Sequence, residues 1–194
     1  YLETDRHCSV RTRNQRLAAI RAFARYVGSR DPVLVEWCGH IRAIASKKAM
    51  PPAIGWLSRT EMDAMLAVPD RRTSQGRREY ALLLFLYNTG ARVSEAVQLR
   101  VRDLNLARAR GGHDLATLLG KGGKVRQCPL WPETEQILTA EIHGRAADAA
   151  VFVSRLGEQY TRFGVYRLIE RCALQVPQLA KRAITPHVIR HTTA

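Results

Sequence analysis

Acidic residues are scarce in this chain. Its 194 residues hold 17 Asp and Glu against 31 Lys and Arg, a formal net charge of +14. That excess is larger than solubility requires and points to a polyanionic partner, nucleic acid first and an anionic membrane surface second. Long apolar runs are missing as well. The most apolar stretch, Tyr80 to Tyr87, is eight residues, far short of the roughly 20 that cross a bilayer. The first residues are polar and charged rather than a secretory signal, so the expectation is a cytoplasmic, nucleoid-associated protein with no membrane partner. The four cysteines, Cys8, Cys38, Cys128 and Cys172, are widely spaced, with no Cys-x-x-Cys and no histidine at zinc-finger spacing. This excludes a disulfide framework and a zinc module and leaves reduced, mostly structural thiols. Carboxylates at metal-binding spacing are lacking too, since Glu95 and Asp103 stand apart from other acids, and no metal or other cofactor is expected. There is no internal repeat or low-complexity segment.

What is present is a chain long enough for one ordinary domain, or a medium domain and a smaller piece. At this size folding buries about 70% of the extended surface. Tyr1-Leu2-Glu3 reads as the tail of a helix. From Ser9 to Tyr26 the apolar residues Leu17, Ile20, Phe23, Ala24 and Val27 recur at helical spacing, with Arg11, Arg13, Arg16, Arg21 and Arg25 around the rest. One face is greasy and the other basic. Gly28 to Pro32 breaks this helix, and Val33 to Ala45 forms a second, short one, in which His40 is an ordinary surface or half-buried histidine. Residues 47–56, with Pro51-Pro52 behind a basic pair, read as a linker. It separates a helical piece, 1–46, from a main domain, 57–194.

The main domain opens on a capping box, Ser58-Arg59-Thr60-Glu61. Pro69 to Gly76 reads as a polar loop. A buried helix, Tyr80 to Asn88, follows and is closed by Gly90 at a left-handed C-cap. Val93 to Leu99 is helical. Leu115–Leu119 and Val125–Cys128 are strands joined by the glycine-rich turn Gly120 to Lys124. Pro132 to Ile142 is a helix, Val151 to Val153 a short strand or turn, and Thr161 caps a helix through Val165, Leu168 and Ile169. Tyr160 and Tyr166 read as packing residues. The fold class is mainly α with a small antiparallel β-sheet.

Arg92 sits just past a buried helix end and requires a partner, which Glu95, three residues on, or an anionic ligand supplies. Thr185 as N-cap and Pro186 at the first helical position put His187 and Arg190 on one helical face. Two arginines and a histidine from distant parts of the chain could thus share one phosphate. The Gly120-Lys121-Gly122-Gly123-Lys124 turn is not a nucleotide-binding loop, because Val125 stands where the metal-binding Ser or Thr belongs and no helix begins there. It is either a solvated turn or a phosphate or minor-groove contact by Lys121, helped by Lys124 and Arg126. The plainer alternatives are a structural ion pair for Arg92 and Glu95 and a capped-helix histidine for His187.

Taken in order, Thr89-Gly90-Ala91-Arg92-Val93-Ser94-Glu95, the Gly-Lys-Gly-Gly-Lys turn leading into Cys128-Pro129-Leu130, and His187-Val188-Ile189-Arg190-His191 resemble the tyrosine recombinase (phage integrase) family of DNA strand-exchange enzymes. The match covers residues 57 to 194 well and 9 to 27 moderately. It implies a tyrosine-recombinase catalytic fold preceded by part of a helical core-binding domain. Arg92 and Arg190 would be the arginine pair, Lys121 the hairpin lysine and general acid, His187 the first histidine and Glu95 the acid supporting Arg92. Double-stranded DNA would be the partner, met also by Arg11, Arg13 and Arg16 and by Lys124 and Arg126, with self-association into a tetramer on DNA. The family carries a second His or Trp and then a nucleophilic Tyr beyond His-x-x-Arg, whereas this chain has no tyrosine after Tyr166. The expectation is a fragment of a longer recombinase that works through a 3′-phosphotyrosyl intermediate, the 194 residues alone binding DNA without cleaving it. A non-catalytic DNA-binding remnant or regulator and a type IB topoisomerase-like enzyme are the alternatives.

Overall fold

The computed structural model describes residues 1–49, 55–106 and 114–193, and for Lys121 the backbone alone. The chain divides into two compact units, Tyr1–Ala53 and Ile54–Ala194.

In the first unit, α1 (Val10–Gly28) starts at Ser9, whose hydroxyl accepts the Thr12 amide at 3.2 Å, an N-cap bond that satisfies one orphan donor of the first turn. A 3-10 turn, Pro32–Leu34, capped by Asp31, leads into α2 (Val35–Ala43), which packs on α1 around Leu17, Ala24 and Cys38. One nine-residue helix covers only a narrow stripe of its neighbour. Ile20 and Phe23, expected on the buried face, are accordingly 49% and 65% exposed. The first residues form turns rather than a helix tail, with the Cys8 amide bonded back to the Leu2 carbonyl. The double proline of the expected linker falls in 50–54, outside the described residues.

The second unit begins with α3 (Arg59–Leu66). Its capping box is complete: Ser58 Oγ accepts the Glu61 amide at 3.2 Å and the Glu61 carboxylate accepts the Ser58 amide at 2.7 Å, so two orphan donors are satisfied reciprocally. Next comes α4 (Ser74–Thr89), which starts earlier than the expected loop at Pro69 to Gly76 allows. The reason is local: the Thr73 hydroxyl caps the Gly76 amide at 3.0 Å, and Gly76 leaves room for the Asp70 carbonyl, which a Cβ there would meet at 2.0 Å. Every residue from Tyr80 to Leu86 is buried. A helix apolar on all sides must be covered on all sides, and α3, α5 (Val93–Gln98), α6 (Pro132–Ile142) and α8 (Pro186–Thr192) pack on it. Against α3, α5 and α8 lies α7 (Arg162–Gln175), capped by Thr161. Each buried Leu or Phe of this core contributes about 1.5–3 kcal/mol.

A three-stranded antiparallel sheet, β1 (Leu104–Asn105), β2 (Leu115–Leu119) and β3 (Val125–Pro129), stands beside α5. Its register sets Ala116 opposite Cys128 and Leu118 opposite Arg126. Opposed residues of an antiparallel pair face the same way, so these four share the sheet's inner face, while Leu119 and Val125 point outward, 60% and 63% exposed. The Gly120 amide closes the β2–β3 turn on the Lys124 carbonyl at 2.7 Å. Gly122 and Gly123 hold the positive φ angles, 74° and 75°, that side chains disfavour. Strand β1 was not foreseen, and of the stretch expected as a short strand or turn, Val151 and Phe152 form a bend while Val153 makes a single bridge to Gln159. Among the described residues, no helix is long and apolar enough to cross a membrane.

Candidate active site

Helix α4 ends at Gly90, which takes the left-handed conformation (φ 55°) and bonds its amide to the Leu86 carbonyl. That C-cap turns the chain straight into α5, with Arg92 as the residue before its first turn. Glu95 folds back on it: the carboxylate accepts the Arg92 backbone amide and, through its other oxygen, the Arg92 guanidinium, both at 2.8 Å. A second guanidinium, from Arg126 on β3, reaches Glu95 Oε2 at 2.8 Å. A third, Arg190 on α8, lies 4.0 Å from the same oxygen and donates to the Gly90 carbonyl.

Three arginines from three elements therefore surround one carboxylate. The Glu95 side chain is 2% exposed, whereas Arg92 keeps 54% of its surface open. Burial, the largest single influence, pushes the Glu95 carboxyl up. The Arg92 bonds and the Arg126 and Arg92 charges outweigh it and hold the group below the usual carboxylate range. Arg190 is pushed down, first by burial and then by the charges of Arg92 and Arg126, with Glu95 opposing them only in part. Among the described residues, Glu95 is thus the one carboxylate beside these three guanidinium groups.

Arg92, His187 and Arg190 line a cleft of about 280 Å³ together with Val93, Thr185 and Pro186. Helix α8 is held by its far end: the Thr193 hydroxyl donates to the Tyr87 carbonyl at 2.6 Å, and the Thr192 hydroxyl accepts the Leu57 amide at 2.9 Å. Pro186 occupies the first helical position as expected, but the Thr185 hydroxyl makes no capping bond. His187 is exposed, and its Nε2 lies 3.0 Å from Nε2 of His191, one turn on.

The hairpin reaches the same place. A Cβ on Gly120 would stand 3.4 Å from Glu95 Oε1 and 3.9 Å from Arg92 Nη1, so the residue before Lys121 lies against the arginine cluster. The Lys121 side chain itself is outside what the structure describes, and Lys124 is exposed at the turn. Arg126, expected on DNA, bonds Glu95 with about a third of its side chain exposed. In the first unit Arg11 and Arg16 are exposed on α1, while half-buried Arg13 donates to the Ala45 carbonyl at 2.9 Å and to Asn14 at 3.0 Å. Tyr160 lines a different cavity of about 480 Å³, beside Glu79, which accepts bonds from Arg171 and Gln75.

Two participants were not assigned their places from sequence. Arg126 shares the inward parity of Cys128 along β3, and His191 stands four residues after His187. Period two and the helical i, i+4 rule carried both signals.

Solved structures share this architecture. The Tn1549 transposon integrase in complex with a circular intermediate DNA superposes with a TM-score of 0.71 at 16% identity, covering 98% of this chain and 68% of that one. The XerA recombinase gives 0.58 at 21% identity, over 100% and 63%. The class is thus the tyrosine-recombinase catalytic fold, mainly α with a small antiparallel sheet. The profile of the phage integrase family matches residues 55–194. The Sinorhizobium fredii protein y4rD, named for an inferred integrase/recombinase role, is 38% identical over 98% of this chain and 69% of its own length. Tyrosine recombinase XerC of Pelobacter propionicus is 31% identical over 94% and 58%. This chain belongs to the phage integrase family of tyrosine recombinases, and it spans 58% to 69% of the length of these two relatives.

Proposed function

We propose that this chain supplies the phosphate-gripping part of a site-specific DNA recombinase, a protein that cuts and rejoins DNA strands. The observation that carries the reading is the cleft itself: Arg92 and Arg190, from α5 and α8, open onto one space with His187, behind them a single buried carboxylate.

In the reaction a hydroxyl oxygen attacks the scissile phosphorus, the P–O bond to the 5′ oxygen breaks, and charge builds on the two non-bridging oxygens. Planar guanidinium forks match those oxygens two at a time. Arg92 and Arg190 take that role, with Glu95 holding Arg92 in place. Lys121, carried on the hairpin turn, gives the proton to the departing 5′ oxygen, and loss of such a general acid costs about 10² to 10⁴ in rate. His187 donates a hydrogen bond or takes the nucleophile's proton. The attacking group in the family reading is a tyrosine hydroxyl, forming a 3′-phosphotyrosyl link, and it is assigned to no residue of this chain. Duplex DNA is the substrate, held also by Lys124, Arg11 and Arg16, with residues 1–46 as part of a core-binding domain. Four copies assemble on it, in the cytoplasm at the nucleoid.

The test is titration of the 194-residue chain into a labelled duplex over a range of salt. The logarithm of affinity is expected to fall with that of salt by about 0.9 per phosphate contacted. Arg92→Ala and Arg190→Ala each weaken binding and reduce that slope by about one contact. A nicked duplex traps no covalent adduct with this chain. Salt-independent binding or indifference to both arginines would overturn the assignment, and an adduct would overturn the statement that this chain supplies no nucleophile.

A further inference from the structure

Arg126, expected to help Lys121 on DNA, has a partner within the protein. Arg126 lies opposite Leu118, which is 1% exposed, on the inner face of the hairpin. From there its guanidinium ends on Glu95 at 2.8 Å, the same buried carboxylate that clamps Arg92. At the other strand's end, Gly120 makes an independent close approach. A Cβ there would meet Glu95 Oε1 at 3.4 Å and the Lys124 carbonyl at 3.3 Å. The Gly120 backbone (φ −91°, ψ −177°) suits any residue, and of these contacts only the one to the Lys124 carbonyl is tight, so a side chain there must displace that carbonyl by a few tenths of an ångström.

We infer that Arg126 is a positioning residue: by bonding Glu95 it seats the neck of the β2–β3 hairpin against Arg92 and so fixes where the turn carrying Lys121 begins. The inference rests on the recombinase reading for its purpose, but not for its geometry. A turn pivoting on glycines 122 and 123 has little stiffness of its own. Two contacts at its base, one ionic and one steric, set its origin without touching its tip. Glu95 then serves both sides of the site, holding Arg92 with one set of bonds and the hairpin with another. The groups facing it are Arg92 on α5, Arg126 and Cys128 on β3, and Arg190 on α8.

The test measures amide-exchange protection of Gly120 to Val125 in the 194-residue chain without DNA. Arg126→Gln is expected to lower protection about tenfold while the α4 amides keep theirs. Glu95→Gln lowers the same hairpin amides about tenfold, its α4 amides falling as well with the global stability the carboxylate supplies, and in the double variant the hairpin amides lose no more than in either alone. Gly120→Ala, which changes no charge, loosens the same amides and provides a second route to the result. In wild type, protection falls as acid protonates Glu95, and in Arg126→Gln that pH dependence disappears. The salt slope of DNA binding separates the two roles: it is unchanged in Arg126→Gln and smaller by about 0.9 in Lys124→Gln. Additive losses in the double variant, or a salt slope reduced by Arg126→Gln, would overturn the inference. Failure of the wild type to bind DNA, with the exchange pattern intact, would refute the proposed function and leave this positioning role standing.

Discussion

Glu95→Gln removes one charge and almost no volume from the centre of the site. The carboxylate receives three hydrogen bonds at 2.8 Å, two from Arg92 and one from Arg126. Glutamine keeps one acceptor oxygen but turns the other corner into an NH₂ that faces a guanidinium, donor against donor. Breaking a buried ion pair by removing one member costs about 3–5 kcal/mol, because the partner charge stays buried. Here the Arg92 and Arg126 side chains are 54% and 35% exposed and rehydrate, so the expected loss at pH 7 is about 2–3 kcal/mol. At about 2–4 °C per kcal/mol for a unit of this size, the midpoint drops by about 5–10 °C. The pH dependence has a definite sign. Folding lowers the Glu95 pKa, so the unfolded chain binds that proton more readily. The wild type's advantage is complete above the ordinary glutamate value of about 4.3 and is lost as pH falls below it and through the depressed folded value. Thermal melts of both proteins followed by circular dichroism, from neutral pH to strong acid, read this directly. Equal midpoints at pH 7, or a gap that stays constant or widens on acidification, would refute the reasoning.

Gly76→Ala places a Cβ 2.0 Å from the Asp70 carbonyl oxygen and 2.5 Å from its carbon, both backbone atoms that cannot swing away. The start of α4 must open, and urea denaturation is expected to show a loss above about 3 kcal/mol, a near-native midpoint counting against the packing described. Of the six tyrosines, Tyr80 and Tyr160 are both pushed up to about 12, Tyr80 by burial and its bond to Glu133, Tyr160 by burial and the Glu79 charge. An ultraviolet titration should leave these two protonated at about pH 11, past the ordinary tyrosine value of about 10, and ionisation of all six in a single step would contradict it.

Local chemistry was legible wherever one residue decides one bond. The Ser58 to Glu61 box, the Gly90 cap, the Thr161 cap and the Pro132 start of α6 are each set within four residues, and each stands where the spacing put it. The start of α4 was not legible, because Gly76 in a polar stretch looks like a loop residue until the Asp70 carbonyl is seen to occupy its missing side chain. Ile20 and Phe23 were misplaced because periodicity reports which residues could share a face, not how much of that face a neighbour covers. Strand β1 is two residues long, too short to show a period.

The site divides along the same line. The motifs around Arg92, the glycine-rich turn and His187 are contiguous, and their residue types and order alone placed the chain in its family. Spacing also offered Glu95 as one partner for Arg92, with an anionic ligand as the other. That Arg126 belongs to Glu95 rather than to solvent, and that Arg190 joins the same carboxylate from α8, was decided by tertiary structure. Both meetings depend on α4 being buried on every side, which docks α8 against its end, and on α5 packing against the sheet that carries β3. The free energy that closes those distances comes from apolar surface far from the arginines, so no local pattern around residue 126 records where its side chain ends.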